Sequence, residues 1–189
     1  MRKLLSAILL AAIPLMPLTG CKEDQAAVPP PPPRAITTDA IGHYCGMNML
    51  DHPGPKGQII LKGQTMPIWL SSVRDTFAYT MLPEESHDYR AIYVTDLAAA
   101  PDPAHPDLAQ WTEARDAWFV IDSGVIGGMG AAEPLPFGTE AAARAFAAKH
   151  GGIVKRFSEV TDDYILAPPP DSESSSNTWE HDTDTRSTP

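Results

Sequence analysis

Sulfur is concentrated in one short stretch of this chain, His43-Tyr44-Cys45-Gly46-Met47-Asn48-Met49, which sets one thiol, two thioethers and an imidazole within seven residues. Thiolate and thioether are soft donors, and soft donors select Cu(I) over the hard cations that prefer oxygen. His43, Cys45, Met47 and Met49 alternate, and in an extended segment alternate side chains share one face. Gly46 permits a sharp bend that would wrap Cys45 and Met47 around one ion. A second soft donor is Met129 in Gly127-Gly128-Met129-Gly130, where glycines allow close backbone approach and leave the thioether on a loop. A methionine so placed has no core to fill. Met66 and Met81 read as ordinary core residues, and His52, His87, His105 and His150 as solvated. A single histidine has little specificity, so His43 and Met49 are the weaker donors of the set.

The other cysteine, Cys21, belongs to a different chemistry. Arg2 and Lys3 give a positive start, Leu4 to Leu15 an apolar run, and Leu18-Thr19-Gly20-Cys21 a small-residue ending. The apolar run is too short for a membrane-spanning helix, which needs about 20 apolar residues. The ending resembles the lipobox of bacterial lipoproteins, in which residues 1–20 are removed and Cys21 is lipidated. That resemblance implies a periplasm-facing protein anchored by its acyl chains. Lys22 stands where the inner-membrane retention signal usually has aspartate, which favours the outer membrane. In an oxidising compartment thiols tend to pair, yet Cys45 is left without a partner. A leftover cysteine of this kind is a reactive thiol, an intermolecular disulfide, a metal ligand or an inert buried residue. The polar neighbours of Cys45 argue against the last.

The elements that must hold these residues lie between two soft ends. Residues 21–37 contain five consecutive prolines, Pro29 to Pro33, predicting an extended disordered spacer that lifts the folded region off the membrane. Residues 167–189 are rich in Pro, Ser, Asp and Thr and predict a disordered tail. The net charge of −10, without a basic cluster beyond the leader, excludes nucleic acid as a partner. Residues 38–166 predict an α+β region of two related ββαβ halves, about 38–100 and 110–166. In the first half, Gln58–Leu61 and Met66–Trp69 flank a Lys-Gly turn as a hairpin. A helix follows from Ser71 or Ser72 to Met81, with Val73, Phe77 and Met81 as its apolar stripe. Ser72 with Asp75 resembles a capping box, Pro83 ends the helix, and Arg90–Thr95 is the third strand. The second half reads Ala117–Asp122, Leu135–Phe137, a helix from Thr139 to His150 capped by Gly151-Gly152, and Ile153–Val160. Pro67, Phe77 and Ala78 recur at one offset as Pro136, Phe146 and Ala147, the mark of a diverged duplication.

Taken together, the lipobox, Tyr44-Cys45-Gly46-Met47, Met66-Pro67-Ile68 and Gly128-Met129-Gly130 through Pro136-Phe137 resemble the NosL family, over roughly Ile41 to Val160. The resemblance implies a pair of ββαβ units and a Cu(I)-binding metallochaperone lipoprotein, not an enzyme. It implies Cys45 and Met129 as Cu(I) ligands, with Met47 close behind. It also implies delivery of copper, through an ABC-type complex with a periplasmic subunit, for the copper–sulfide centre of nitrous oxide reductase. Gly128 departs from the proline expected at its position, which loosens the loop without removing the sulfur. Two other classes compete with this reading. A thiol-dependent lyase or oxidoreductase would use Cys45 as nucleophile, but needs a base or a resolving cysteine that no motif supplies. A structural lipoprotein would bury its sulfurs.

Overall fold

The computed structural model describes residues 29–99 and 102–167. The leader, Cys21 and the tail from residue 168 lie outside the described residues. Within the described residues, seven strands and three α-helices follow in order: β1 (Gly57–Leu61), β2 (Ile68–Leu70), α1 (Val73–Met81), β3 (Tyr89–Thr95), β4 (Trp111–Glu113), β5 (Trp118–Ile121), β6 (Leu135–Phe137), α2 (Glu140–His150), β7 (Ile153–Arg156) and α3 (Asp162–Leu166). One sheet has the order β2-β1-β3-β4 and the other β6-β5-β7, with every pairing antiparallel. Stripped of β4, the two sheets have the same connectivity. In each the first strand is central, its hairpin partner lies on one side and the strand after the helix on the other. The α+β class and the internal ββαβ repeat are both present.

Local chemistry accounts for the helix boundaries. Ser72 accepts the Asp75 N–H at 2.9 Å and starts α1, satisfying one of the free donors of its first turn. Thr139 does the same for α2 through the Ala142 N–H, and Gly151 ends that helix at a φ of 76°, which glycine adopts without strain. α1 rests on β1 at Gly57, where an added Cβ would overlap Thr76 Oγ1.

Alternation along the strands sorts side chains into layers. Ile59 and Leu61 of β1, Ile92 and Val94 of β3, and Phe119 and Ile121 of β5 join Val73 and Phe77 of α1 in one core. α1 is therefore enclosed between the two sheets, and Phe77 contacts both Phe119 and Phe157, with ring centroids 4.9 and 4.6 Å apart. Val120 points the other way, into a smaller core with Leu135, Phe137, Ala143 and Phe146 beneath α2. On the outer face of the first sheet Ile60, Ala91 and Tyr93 meet Trp111.

Three expectations require correction. The proline spacer does not stand clear through Pro33. Arg90 donates to the Pro29 carbonyl at 2.9 Å, the Tyr93 hydroxyl to that of Pro31 at 2.8 Å, and Gln58 exchanges hydrogen bonds with the Arg34 backbone. From Pro29 onward the segment is a strap on the outer face of the first sheet. The last strand ends at Arg156 instead of Val160, giving way to a 3-10 turn, Phe157–Glu159, and then α3, capped by Thr161. Met66 is 66% exposed at the β1–β2 turn, outside the core.

Candidate metal centre

Residues 40–49 form a tight loop and not an extended strand. Ile41 bridges Asn48, Gly42 N–H donates to the Met47 carbonyl at 2.9 Å, and Gly46 turns the chain at a φ of 66°. Gly42 pairs with Trp69 and His43 N–H donates to the Trp69 carbonyl at 2.8 Å, so the loop closes the free edge of β2. Gly42 is required for close approach: a Cβ there would overlap Ser71 Oγ and press on Cys45 Sγ.

Because the segment turns, its donors do not share one face. Cys45 is half-buried, its Sγ 2.9 Å from Ser71 Oγ, with either atom able to donate. Met47 is 42% exposed. Met49 is fully buried with Ala40 and Trp69, and its sulfur receives the Ser71 hydroxyl at 3.7 Å. Met49 serves the core and, through Ser71, the setting of the thiol. His43 turns toward the end of α1, with Nε2 3.0 Å from Glu85 Oε1, the oxygen that also accepts the Tyr44 hydroxyl at 2.9 Å. Burial works to raise the Glu85 carboxyl, but the bonds from His43 and Tyr44 outweigh it and hold the group below its ordinary value. Burial, and after it the bond to Glu85, pushes the Tyr44 phenol up.

Met129 lies on the loop between β5 and β6 and is 38% exposed. A bridge between Ile126 and Ala132 and a bond from Gly127 N–H to the Ala131 carbonyl close this loop on itself. Its glycines are sites of close approach. A Cβ on Gly128 would overlap the Pro53 carbonyl, and one on Gly127 would overlap the Glu133 carboxylate. Gly128 stands where proline is expected, and at this close approach the Pro53 backbone occupies the space a side chain would need.

A chain of contacts joins the two sulfur loops. Lys56, fully buried, donates through Nζ to the Pro53 carbonyl at 3.0 Å and to the Ser71 carbonyl at 3.2 Å. Pro53 meets Gly128, and Ser71 meets Cys45. Glu133 Oε1 accepts the Val73 N–H at 2.5 Å, so a carboxylate from the second half caps the first turn of the helix in the first half. Burial pushes the Glu133 carboxyl up to about 7, against the N–H of Val73 and the charge of Lys56. Burial pushes the Lys56 ammonium down, opposed by the negative fields of Glu133, Cys45 and Asp75. Reading the sequence does not single out Ser71, Lys56 or Glu133. The available signal is a lone charge at the entrance of an otherwise buried strand, Lys56 before Gly57–Leu61 and Glu133 before Leu135–Phe137. Among the described residues no three His, Cys, Asp or Glu side chains gather as a metal cage, and no helix is long and apolar enough to cross a membrane.

Fold and site together define an α+β protein of two ββαβ units that carries a half-buried thiol beside Ser71, ahead of α1, and partly exposed thioethers on loops. The chain belongs to the NosL family, whose family model matches residues 33–165. It is 41% identical over 169 residues to the copper-binding lipoprotein NosL of Achromobacter cycloclastes, covering 89% of this chain and 86% of the relative. It is 32% identical over 152 residues to the copper-binding lipoprotein NosL of Stutzerimonas stutzeri, covering 80% and 78%. The crystal structure of the copper chaperone NosL from Shewanella denitrificans superposes with a TM-score of 0.65 at 35% identity, covering 71% of this chain and 98% of that one.

Proposed function

We propose that this chain is a Cu(I) metallochaperone, with Cys45 and Met129 as ligands, Met47 as the nearest third donor, and no catalytic turnover. The supporting observation is the chain of contacts through Ser71, Lys56 and Pro53, which ties an accessible thiol to a loop bearing a partly exposed thioether. Family membership supports the cargo, since relatives bear the name copper-binding lipoprotein and a solved one the name copper chaperone. A site of few soft donors on exposed loops holds copper and can exchange it with a receiving protein. His43 is bonded to Glu85 through Nε2, which leaves Nδ1 as the nitrogen that could complete the copper shell with that bond kept. The hydrogen-bond partner of Cys45 is a serine hydroxyl, not a base that would raise its nucleophilicity, which favours a carrier over a thiol-dependent enzyme.

The destination belongs to the same proposal. The protein faces the periplasm, is lipidated at Cys21, favours the outer membrane and passes copper to an ABC-type assembly complex for the copper–sulfide centre of nitrous oxide reductase. Cys21 and Pro29 are eight residues apart. At roughly 3.3–3.6 Å per extended residue, that places the strap within about 30 Å of the anchored sulfur. The test uses the full-length chain in detergent, reduced and anaerobic, titrated with Cu(I) against a competing chelator. Tight Cu(I) uptake with little Zn(II) uptake is expected. Cys45→Ser should abolish it and Met129→Ile weaken it severely. Full affinity in the cysteine variant would reject the site, and normal reductase copper content after gene deletion would reject the destination.

A further inference from the structure

The buried pair Lys56 and Glu133 has no place in a ligand set. Each nonetheless meets both regions that carry the sulfurs. Lys56 spans the Pro53 carbonyl, against which Gly128 packs, and the carbonyl of Ser71, whose hydroxyl touches Cys45. Glu133 spans the Val73 N–H, two residues after Ser71, and Gly127, two residues before Met129. Burying an ammonium and a carboxylate is costly unless other groups satisfy them. An apolar pair would fill the same space but leave the Pro53 and Ser71 carbonyls and the Val73 N–H without these partners, so the two charges fix the position of the backbone they bond.

Resting on the proposed Cys45–Met129 site, we infer that Lys56 and Glu133 are positioning residues for copper. Together they form a brace that fixes the Met129 loop of the second half relative to the Cys45 loop of the first. Neither touches the ion. Their effect is on the second sulfur: with the brace intact, the loop bearing Met129 keeps a fixed position relative to the Cys45 loop, and the thioether adds its bond without a further ordering cost. Without it, Cys45 still binds and Met129 no longer contributes. Asp75 faces the same interior, and its field opposes ionisation of Glu133, while the Val73 N–H first and the Lys56 charge after it favour the buried carboxylate.

The test is a double-mutant cycle on the full-length chain, read as Cu(I) affinity by chelator competition and as the number of sulfur neighbours by X-ray absorption. In the parent, Met129→Ile should lower affinity by about ten-fold or more, the scale on which directly coupled residues interact. In Lys56→Leu and in Glu133→Ala, adding Met129→Ile should change it by less than about two-fold, and each brace variant alone should show one sulfur fewer than the parent. Circular dichroism separates this from unfolding. If Lys56→Leu does not fold, Glu133→Ala and the conservative Lys56→Arg make the comparison, the arginine retaining coupling in part. An equal Met129→Ile penalty in all backgrounds would overturn the brace while leaving the ligands intact. A harmless Met129→Ile in the parent would overturn the ligand set, and the brace with it.

Discussion

A methyl group at position 42 is enough to disturb the thiol. Gly42 has no side chain because Ser71 Oγ and Cys45 Sγ occupy the space where a Cβ would stand. Overpacking of this kind costs about 1–3 kcal/mol when neighbours must shift. The softer neighbour here is the cysteine side chain, which is only half-buried. Gly42→Ala should therefore speed labelling of Cys45 by a thiol reagent and lower Cu(I) affinity several-fold; unchanged labelling would show that Ser71 yields instead. At this scale the sequence reveals the sulfurs through their types alone. Cys45 has no partner in a chain whose first residues resemble an export leader, and Met129 sits among glycines where a core methionine has no reason to be. Spacing misleads for Met49 and His43, because alternation implies a shared face only in an extended strand. Gly46 and the pairing of Gly42 with Trp69 turn the segment into a loop. Lys56 and Glu133 have no local signal beyond an isolated charge beside a strand, since their burial is created by loops more than 70 residues apart in the chain meeting at Ser71 and Val73.

Phe77 and Phe146 occupy equivalent positions in the two helices, yet the helices do different work. α1 lies between both sheets and has Phe77 fully buried among Phe119 and Phe157, whereas α2 covers one face and leaves Phe146 half-buried beside Phe137 and His150. Phe77→Ala should cost about 3–5 kcal/mol, the range for emptying a packed aromatic site. Phe146→Ala should cost roughly 1–2 kcal/mol, the transfer free energy of a partly buried ring. Denaturant midpoints compare them directly, and equal losses would refute the enclosed placement of α1. Elements with a full period are legible in the sequence: both helices begin at their Ser72 and Thr139 caps, and the hairpin register follows its Lys-Gly turn. β4 and α3, three and five residues long, are not, since neither has beside it the longer helix that follows the equally short β2 and β6. β4 exists because Trp111–Glu113 pairs with Tyr93–Thr95, and α3 because Ile165 drops into the core beside α1. The proline strap escapes a sequence reading for a related reason: composition fixes its extended conformation but not the tyrosine and arginine donors waiting on β3.

For the molecule as a whole, the two halves fold around α1, and the main core draws side chains from both. Glu133 is the charged point of that junction. Its carboxyl is held near 7 in the folded protein against an ordinary value of 4.5. Facing it are the Lys56 ammonium and the Val73 and Arg74 N–H groups, which favour the ionised form, and Asp75, which disfavours it. Between these two values the folded state retains a proton that the unfolded chain has released. By linkage, this group's contribution to stability falls as pH rises from about 4.5 and levels off above about 7. Glu133→Gln keeps an oxygen for the Val73 N–H and has no charge to desolvate, so it lacks this dependence. Denaturant midpoints taken from pH 5 to 8 should show the variant gaining on the parent through this window, the gain ceasing above it. Parallel curves would mean that Glu133 ionises at its ordinary pH, so that the Val73 and Arg74 N–H groups and Lys56 together fully compensate its burial. A widening gap would mean that the buried carboxyl at the junction between the halves keeps a proton that the unfolded chain has released, so that the stability of this junction depends on pH near neutrality.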